Sequence, residues 1–242
     1  MAREKEAMVT YRILMPVTSE ADAFNNAITR IPDKTKLTVV NNWDNTEVAK
    51  TCKYLENCGA EVLWHPENLG CAPSFNVGVK MLAQPEIDFV IIMVAACLFH
   101  RSVDDFVRII EEREAKEKNY YYLTIGPYHT DLHAFAVTKR FYQEIGTYDE
   151  NFWPVYYEDT DLGRRMQLMG IQKTVIRDDI RTSQGLSMAV SGDSRLRQLW
   201  GINADRVVNY YRSKWGGDHT FETFTHPFNN PNTGINDWVL QR

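Results

Sequence analysis

Phe89-Val90-Ile91-Ile92-Met93-Val94 is an unbroken apolar run rich in β-branched residues. A strand that reads this way is buried on both faces, as in a parallel sheet covered by helices. The upstream segments repeat the theme. Tyr11-Arg12-Ile13-Leu14-Met15-Pro16-Val17 predicts a first strand, after which Ser19 should cap a helix. Lys36-Leu37-Thr38-Val39-Val40-Asn41 predicts a second strand, 47–58 a helix closed by Gly59, 60–64 a third strand, and 72–82 a helix with Pro73 in its first turn. This alternation predicts a doubly wound α/β core. Ligands in such sheets bind beyond the carboxyl ends of the strands. Residues 16–19, 41–45, 68–71 and 94–97 should therefore line one crevice.

Downstream, 103–118 reads as a charged amphipathic helix and 120–126 as a strand, and then the alternation breaks. A short strand is expected at 134–137, an irregular aromatic stretch at 148–157, a helix at 159–169, a strand at 172–176 and a long helix at 193–212. No repeat, low-complexity tract or linker interrupts the chain, so 1–242 is expected to be a single domain. Its parts would be a regularly alternating half (about 10–100), a less regular half (about 101–190) and a helical extension and tail (about 191–242).

Composition narrows the class. The 242 residues are 44% hydrophobic and 24% charged, enough for a sizeable core and unlike a disordered chain. Lys plus Arg number 27 against 32 Asp plus Glu, and a net charge of −5 offers no global pull toward nucleic acid or anionic membrane. The apolar run at 89–99 is about half of what a bilayer span needs. Residues 1–8 lack the apolar region of a signal peptide, so a cytoplasmic location is expected. Cys52, Cys58, Cys71 and Cys97 have no Cys-x-x-Cys spacing and read as ordinary thiols.

Neither a Gly-x-Gly-x-x-Gly fingerprint nor a phosphate-loop motif is present, which excludes the usual dehydrogenase and nucleotide-hydrolase signatures. What remains at the strand ends is amide and acidic. Asn41-Asn42-Trp43-Asp44 can read a nucleobase edge, or can simply form a turn. Asn68, Gly70, Asn76 and Gly78 surround a loop entering a helix, which suits an anion or polar ring as well as it suits a plain glycine turn. The densest cluster is Tyr157-Glu158-Asp159-Thr160-Asp161-Leu162-Gly163-Arg164-Arg165, preceded by Gly146-Thr147-Tyr148-Asp149-Glu150-Asn151-Phe152. Clustered carboxylates repel one another unless they cap a helix, meet cations or do chemistry. A helix start would favour the Asp159 charge by about 0.3–1 kcal/mol.

Taken in order, Pro16-Val17, Asn41-Asn42, Asn68-Leu69-Gly70 through Asn76-Val77-Gly78, the Gly146–Phe152 run and Glu158-Asp159-Thr160-Asp161 resemble an inverting family-two glycosyltransferase with the GT-A fold. Lys214-Trp215-Gly216-Gly217 resembles a tail seen in members acting on surface polysaccharides or viral glycans. The resemblance implies a Rossmann-like, mostly parallel sheet covered by helices on both faces, with a smaller acceptor-side region. It implies transfer of a hexose or deoxyhexose from a nucleoside diphosphate sugar to a saccharide hydroxyl. Asp159 matches the general base, with Glu158 and Asp161 as supporting residues that orient the acceptor or pair with Arg164 or Arg165. Pro16, Val17, Asn41, Asn42, Asn68 and Gly70 would line the donor pocket, with Asn76 nearby. Among aromatics on the acceptor side (Trp153, Tyr156, Tyr157, Trp200 and Trp215), Trp153 is the expected stacking platform, and His129 and His133 could face the acceptor.

Two positions depart from the family pattern. Mn2+ or Mg2+ is usually held by an Asp-x-Asp-like motif after the fourth strand, where this chain reads Val94-Ala95-Ala96-Cys97. Near Thr182 many members carry a histidine; His219 or His226 could substitute for it, and Arg181, Arg195, Arg197 and Lys214 are alternative diphosphate partners. The alanines leave open a metal-independent transferase, a catalytically silent nucleotide-sugar or glycan-binding protein, and a chain whose metal ligands were deliberately replaced. A nucleic-acid or protein acceptor is a further alternative, and the net charge counts against nucleic acid.

Overall fold

A computed structural model describes residues 10–65, 67–125, 133–177, 181–183 and 194–237. The first half runs β1 (Tyr11–Val17), α1 (Ala21–Ile28), β2 (Leu37–Asn41), α2 (Thr46–Asn57), β3 (Glu61–Trp64), α3 (Cys71–Met81) and β4 (Phe89–Met93). There follow β5 (Cys97–Phe99), α4 (Val103–Glu117), β6 (Tyr121–Ile125), β7 (Ala134–Thr138), α5 (Lys139–Glu144), α6 (Glu158–Leu168), β8 (Thr174–Arg177), β9 (Arg181–Ser183) and α7 (Ser194–Trp215).

Seven strands form one sheet in the order β3-β2-β1-β4-β7-β6-β8. Its pairs are parallel except where β7 meets β4 and β6. The continuous apolar character of β1 and β4 follows from their central place. Ile13, Met15 and Ile91 face a core shared with Phe24 of α1, Leu55 of α2 and Phe106 of α4. Leu14, Val90 and Ile92 face the opposite core, with Phe75 of α3, Phe141 of α5 and Met166 of α6. Pro16, which cannot donate to a ladder, lies beyond Leu14, the last β1 residue paired with β4.

One local expectation is corrected, and three short elements lie outside what the sequence pattern predicts. Ser19 does not cap α1: Glu20 holds the cap position, and its carboxylate accepts from the Thr18 amide (3.2 Å) and hydroxyl (2.8 Å). The six-residue α5, started by Thr138, is too short for its periodicity to stand out in the sequence. Strands β5 and β9 hold three residues each and pair with each other across some eighty positions, a partnership that no local pattern encodes.

Candidate functional site

The ends of β1 and β2 stand level, with Val17 opposite Asn41 and the Asn42 amide donating to the Val17 carbonyl at 2.8 Å. Asn42 Nδ2 donates to Ser74 Oγ at 2.6 Å, and Ser74 Oγ donates in turn to the Gly70 carbonyl at 2.5 Å. The crevice therefore includes the first turn of α3, through a serine that the sequence reading passed over. Asn41 Oδ1, Asn42 Oδ1 and Asn68 Nδ2 are buried without a hydrogen-bond partner. Each such atom costs about 1–3 kcal/mol unless something pairs with it. Three of them at the carboxyl edge of the sheet present acceptors and a donor to a polar ring.

Gly70 is required by its surroundings. Its φ of 94° suits glycine, and a Cβ there would stand 2.5 Å from Trp153 Cδ1. Trp153 in turn donates from Nε1 to the Asn68 carbonyl (3.1 Å), and the Cys71 amide donates to the Pro154 carbonyl (2.7 Å). Trp153, expected to stack on an acceptor, spends its indole N–H and one ring edge on the Asn68–Gly70 loop. Gly70→Ala is expected to lower stability by about 2 kcal/mol through the backbone and this contact, read as a lower Tm. An unchanged Tm would show that the loop is not held against Trp153.

Asn76, expected beside the donor, is spent elsewhere. Its Nδ2 donates to the Tyr148 carbonyl and to Glu150 Oε1 (both 2.9 Å), and its Oδ1 accepts from the Tyr148 amide (2.7 Å). It clamps the loop before the acidic cluster onto α3.

The three carboxylates of α6 separate by environment. Glu158 and Asp161 are buried, while Asp159 is exposed. Asp159 Oδ1 accepts from the Thr160 amide at 2.8 Å, and the residue borders two cavities of about 560 and 410 Å³. Tyr156 and Tyr157, immediately before the helix, both take positive φ, 74° and 69°. Left-handed backbone costs an ordinary residue about 1–2 kcal/mol, and such strain collects at functional sites.

Burial and the adjacent Asp159 charge push the Glu158 carboxyl up to about 8. Glu158 is therefore protonated at neutral pH in the folded chain and ionised in the unfolded one. The folded state binds the extra proton between the ordinary value of 4.5 and about 8, so stability falls as pH rises through that window. Glu158→Gln, which mimics the neutral acid, should remove this loss. Its Tm is expected to match wild type near pH 5 and exceed it increasingly up to pH 8, by of order 1 kcal/mol per pH unit. Parallel Tm curves for the two proteins over that range would refute the assignment.

Asp161 is sealed inside rather than facing a ligand. Its Oδ2 meets Arg165 Nε at 3.0 Å, and its Oδ1 meets Lys214 Nζ at 2.6 Å and Trp215 Nε1 at 2.9 Å. Burial alone would raise its carboxyl, but Lys214 and Arg165 outweigh burial and hold it below the ordinary range. Lys214 also reaches Asp149 at 2.9 Å, so this buried lysine is committed to two carboxylates and does not serve a diphosphate. Arg164 turns the other way, donating to the Phe224 carbonyl. The Lys214-Trp215 pair thus bolts α7 to α6. Gly217 follows because a Cβ there would strike the Phe221 carbonyl as the tail folds back.

The residues at the end of β4 do not fit a divalent cation. Ala95 and Ala96 are buried in a turn closed by the Cys97 amide donating to the Val94 carbonyl at 2.9 Å, and neither carries a donor atom. The β5–β9 pairing sets Thr182 opposite Leu98, so both departures from the family pattern meet at one place. Among the described residues no group of three or more His, Cys, Asp or Glu is placed to hold a metal. His219 borders the larger cavity, and His226 Nδ1 lies 3.1 Å from Thr225 Oγ1. The His133 carbonyl accepts from the Val94 amide at 3.0 Å, which puts His133 beside the alanine turn. His129 lies outside the described residues. Of the other cations, Arg195 stands 4.9 Å over the Trp43 ring at the end of β2, and Arg197 is exposed on α7. Among the described residues no helix is long and apolar enough to cross a membrane.

No protein-family model and no curated protein sequence matches the chain. Solved structures do. A mannosyltransferase from Pyrobaculum calidifontis, in complex with GDP-mannose and Mn2+, is 14% identical with a TM-score of 0.56, over 73% of this chain and 57% of its own. TarS residues 1–349 from S. aureus, in complex with UDP, is 12% identical with a TM-score of 0.55, over 88% and 74%. Glucosyl-3-phosphoglycerate synthase from Mycobacterium tuberculosis, with Mn2+, UDP and phosphoglyceric acid, is 14% identical with a TM-score of 0.53, over 83% and 79%. The chain spans little more than half of the mannosyltransferase. At these identities the likeness shows the fold, which is GT-A.

Proposed function

We propose that this GT-A chain is a nucleotide-sugar-dependent glycosyltransferase that adds a hexose or deoxyhexose to a saccharide hydroxyl with inversion. The observation that carries the reading is the placement of Asp159: exposed at the start of α6, between two cavities, with its carboxyl partners Glu158 and Asp161 withdrawn into the core. The unpartnered amide atoms Asn41 Oδ1, Asn42 Oδ1 and Asn68 Nδ2 support a donor nucleotide at the strand ends. In the reaction Asp159 accepts the proton of the acceptor hydroxyl. The acceptor oxygen bonds to the anomeric carbon as the bond from that carbon to the phosphate oxygen breaks, and the electron pair leaves with the diphosphate. Arg195, beside Trp43, is the proposed cation for the departing charge. No metal step is assigned, because the alanine turn offers no ligand.

A panel of UDP- and GDP-sugars tests this by thermal shift. A donor at 100 times its Kd should stabilise the fold by about 2.7 kcal/mol, and Mn2+ should leave that shift unchanged. A shift that needs Mn2+ would overturn the metal-free assignment, and no shift with any donor would overturn the donor site. The alanine turn also favours a second reading, a silent donor-binding protein, which predicts a thermal shift without turnover.

A further inference from the structure

We infer that the cavity between α7 and the residues leading into α6 is the acceptor subsite, seating one pyranose ring against Trp200 and Tyr156. This inference rests on the glycosyltransferase reading and assigns its acceptor a place. The cavity holds about 410 Å³ and is walled by Val155, Tyr156, Trp200 and Val207, with Asp159 and Thr160 among its lining residues. That volume lies in the range of small-molecule sites, which combine apolar walls with a few polar groups. A pyranose matches such a lining, since its C–H face stacks on an aromatic ring while its edge carries hydroxyls. Tyr156 and Trp200 meet edge to face at 5.6 Å and 81°, forming a corner instead of a filled stack. A ring lying on that corner turns a hydroxyl toward the Asp159 carboxylate.

Continuity with the donor crevice favours this cavity. Trp153 and Pro154, which bond to the donor loop, directly precede Val155 in its wall. Helix α7 makes a second link: Arg195 stands over Trp43, and Trp200 follows about 7.5 Å along the axis. Arg206 of α7 donates to the carbonyls of Asn151 (3.1 Å) and Trp153, locking the helix onto that segment. The larger, more polar cavity instead follows α6 from Asp159 to Gln167, with Arg164, Lys173 and Glu222 in its lining.

Saturation-transfer NMR with methyl pyranosides of glucose, galactose, mannose and fucose tests the subsite without a donor. Wild type should transfer magnetisation to the C–H protons of at least one glycoside. Trp200→Ala should lose that signal with Tm unchanged, and Trp200→Phe should keep it. With donor present, Trp200→Ala should raise acceptor KM about tenfold while the nucleotide-sugar Kd stays within twofold. No transfer from any glycoside to wild type would overturn the subsite, as would retention of the signal in Trp200→Ala with its loss in Arg164→Ala. Failure of the donor panel, by contrast, strikes the glycosyltransferase reading and leaves the glycoside result to be judged independently.

Discussion

Asp159→Asn is expected to cut turnover by about 10²- to 10⁴-fold, the range for loss of a positioned general base. The substitution is conservative for the fold. Asp159 Oδ1 accepts from the Thr160 amide, and the amide oxygen of asparagine can keep that bond. The side chain is exposed, so no buried charge is orphaned. Nucleotide-sugar affinity and Tm should both hold, and the loss should fall on kcat, since an interaction made only in the transition state is removed. Turnover within a few-fold of wild type would remove Asp159 as the base. Glu158→Gln provides the contrast: that carboxyl is already neutral at pH 7, so activity there should survive its replacement.

Lys214→Met should be the most destabilising of these substitutions, costing about 3–5 kcal/mol, because it leaves two buried carboxylates short of a cation. Asp149 would retain the Tyr210 hydroxyl (2.7 Å) and Asn151, and Asp161 would retain Arg165 and Trp215. Neither set replaces a full positive charge within 3 Å of both acids. For a chain of this size the loss corresponds to a Tm lower by roughly 10 °C. A second substitution, Asp161→Asn, should recover part of it, since residues in one ionic network are not additive. Equal Tm values for Lys214→Met and wild type would mean that the network contributes nothing net. Because this network joins α7 to α6, the same substitution should also loosen the wall of the proposed acceptor cavity.

Much of the fold was legible because the two faces of the sheet demand it. An apolar run such as 89–94 has no polar side to spare, and helices must cover both faces. The strand-end crevice followed from that topology, and so did the candidate residues Asn41, Asn42 and Asn68. The acid helix was legible to within one residue at each end, expected at 159–169 and found at Glu158–Leu168. Asp161 pairs with Arg165, one of its two expected partners, but its bonds to Lys214 and Trp215, like the contacts that hold Trp153 and Asn76, had no local signal. Each is polar or aromatic beside the site, and whether such a side chain faces a ligand or another loop depends on contacts 54 to 85 positions away in sequence.

The local code of this chain, its apolar periods and turn residues, suffices for a doubly wound α/β core with amides at its strand ends and an acid-rich helix further on. The division of labour among the acids does not reside in that code. Glu158, Asp159 and Asp161 share one helical turn and nearly one chemistry. What separates them is packing by other parts of the chain: Lys214 and Trp215 of α7 claim Asp161, Trp200 builds a wall near Asp159, and burial beside Asp159 leaves Glu158 without its charge. Ionisation depends on dielectric surroundings and nearby charges, which exist only once distant segments have packed together.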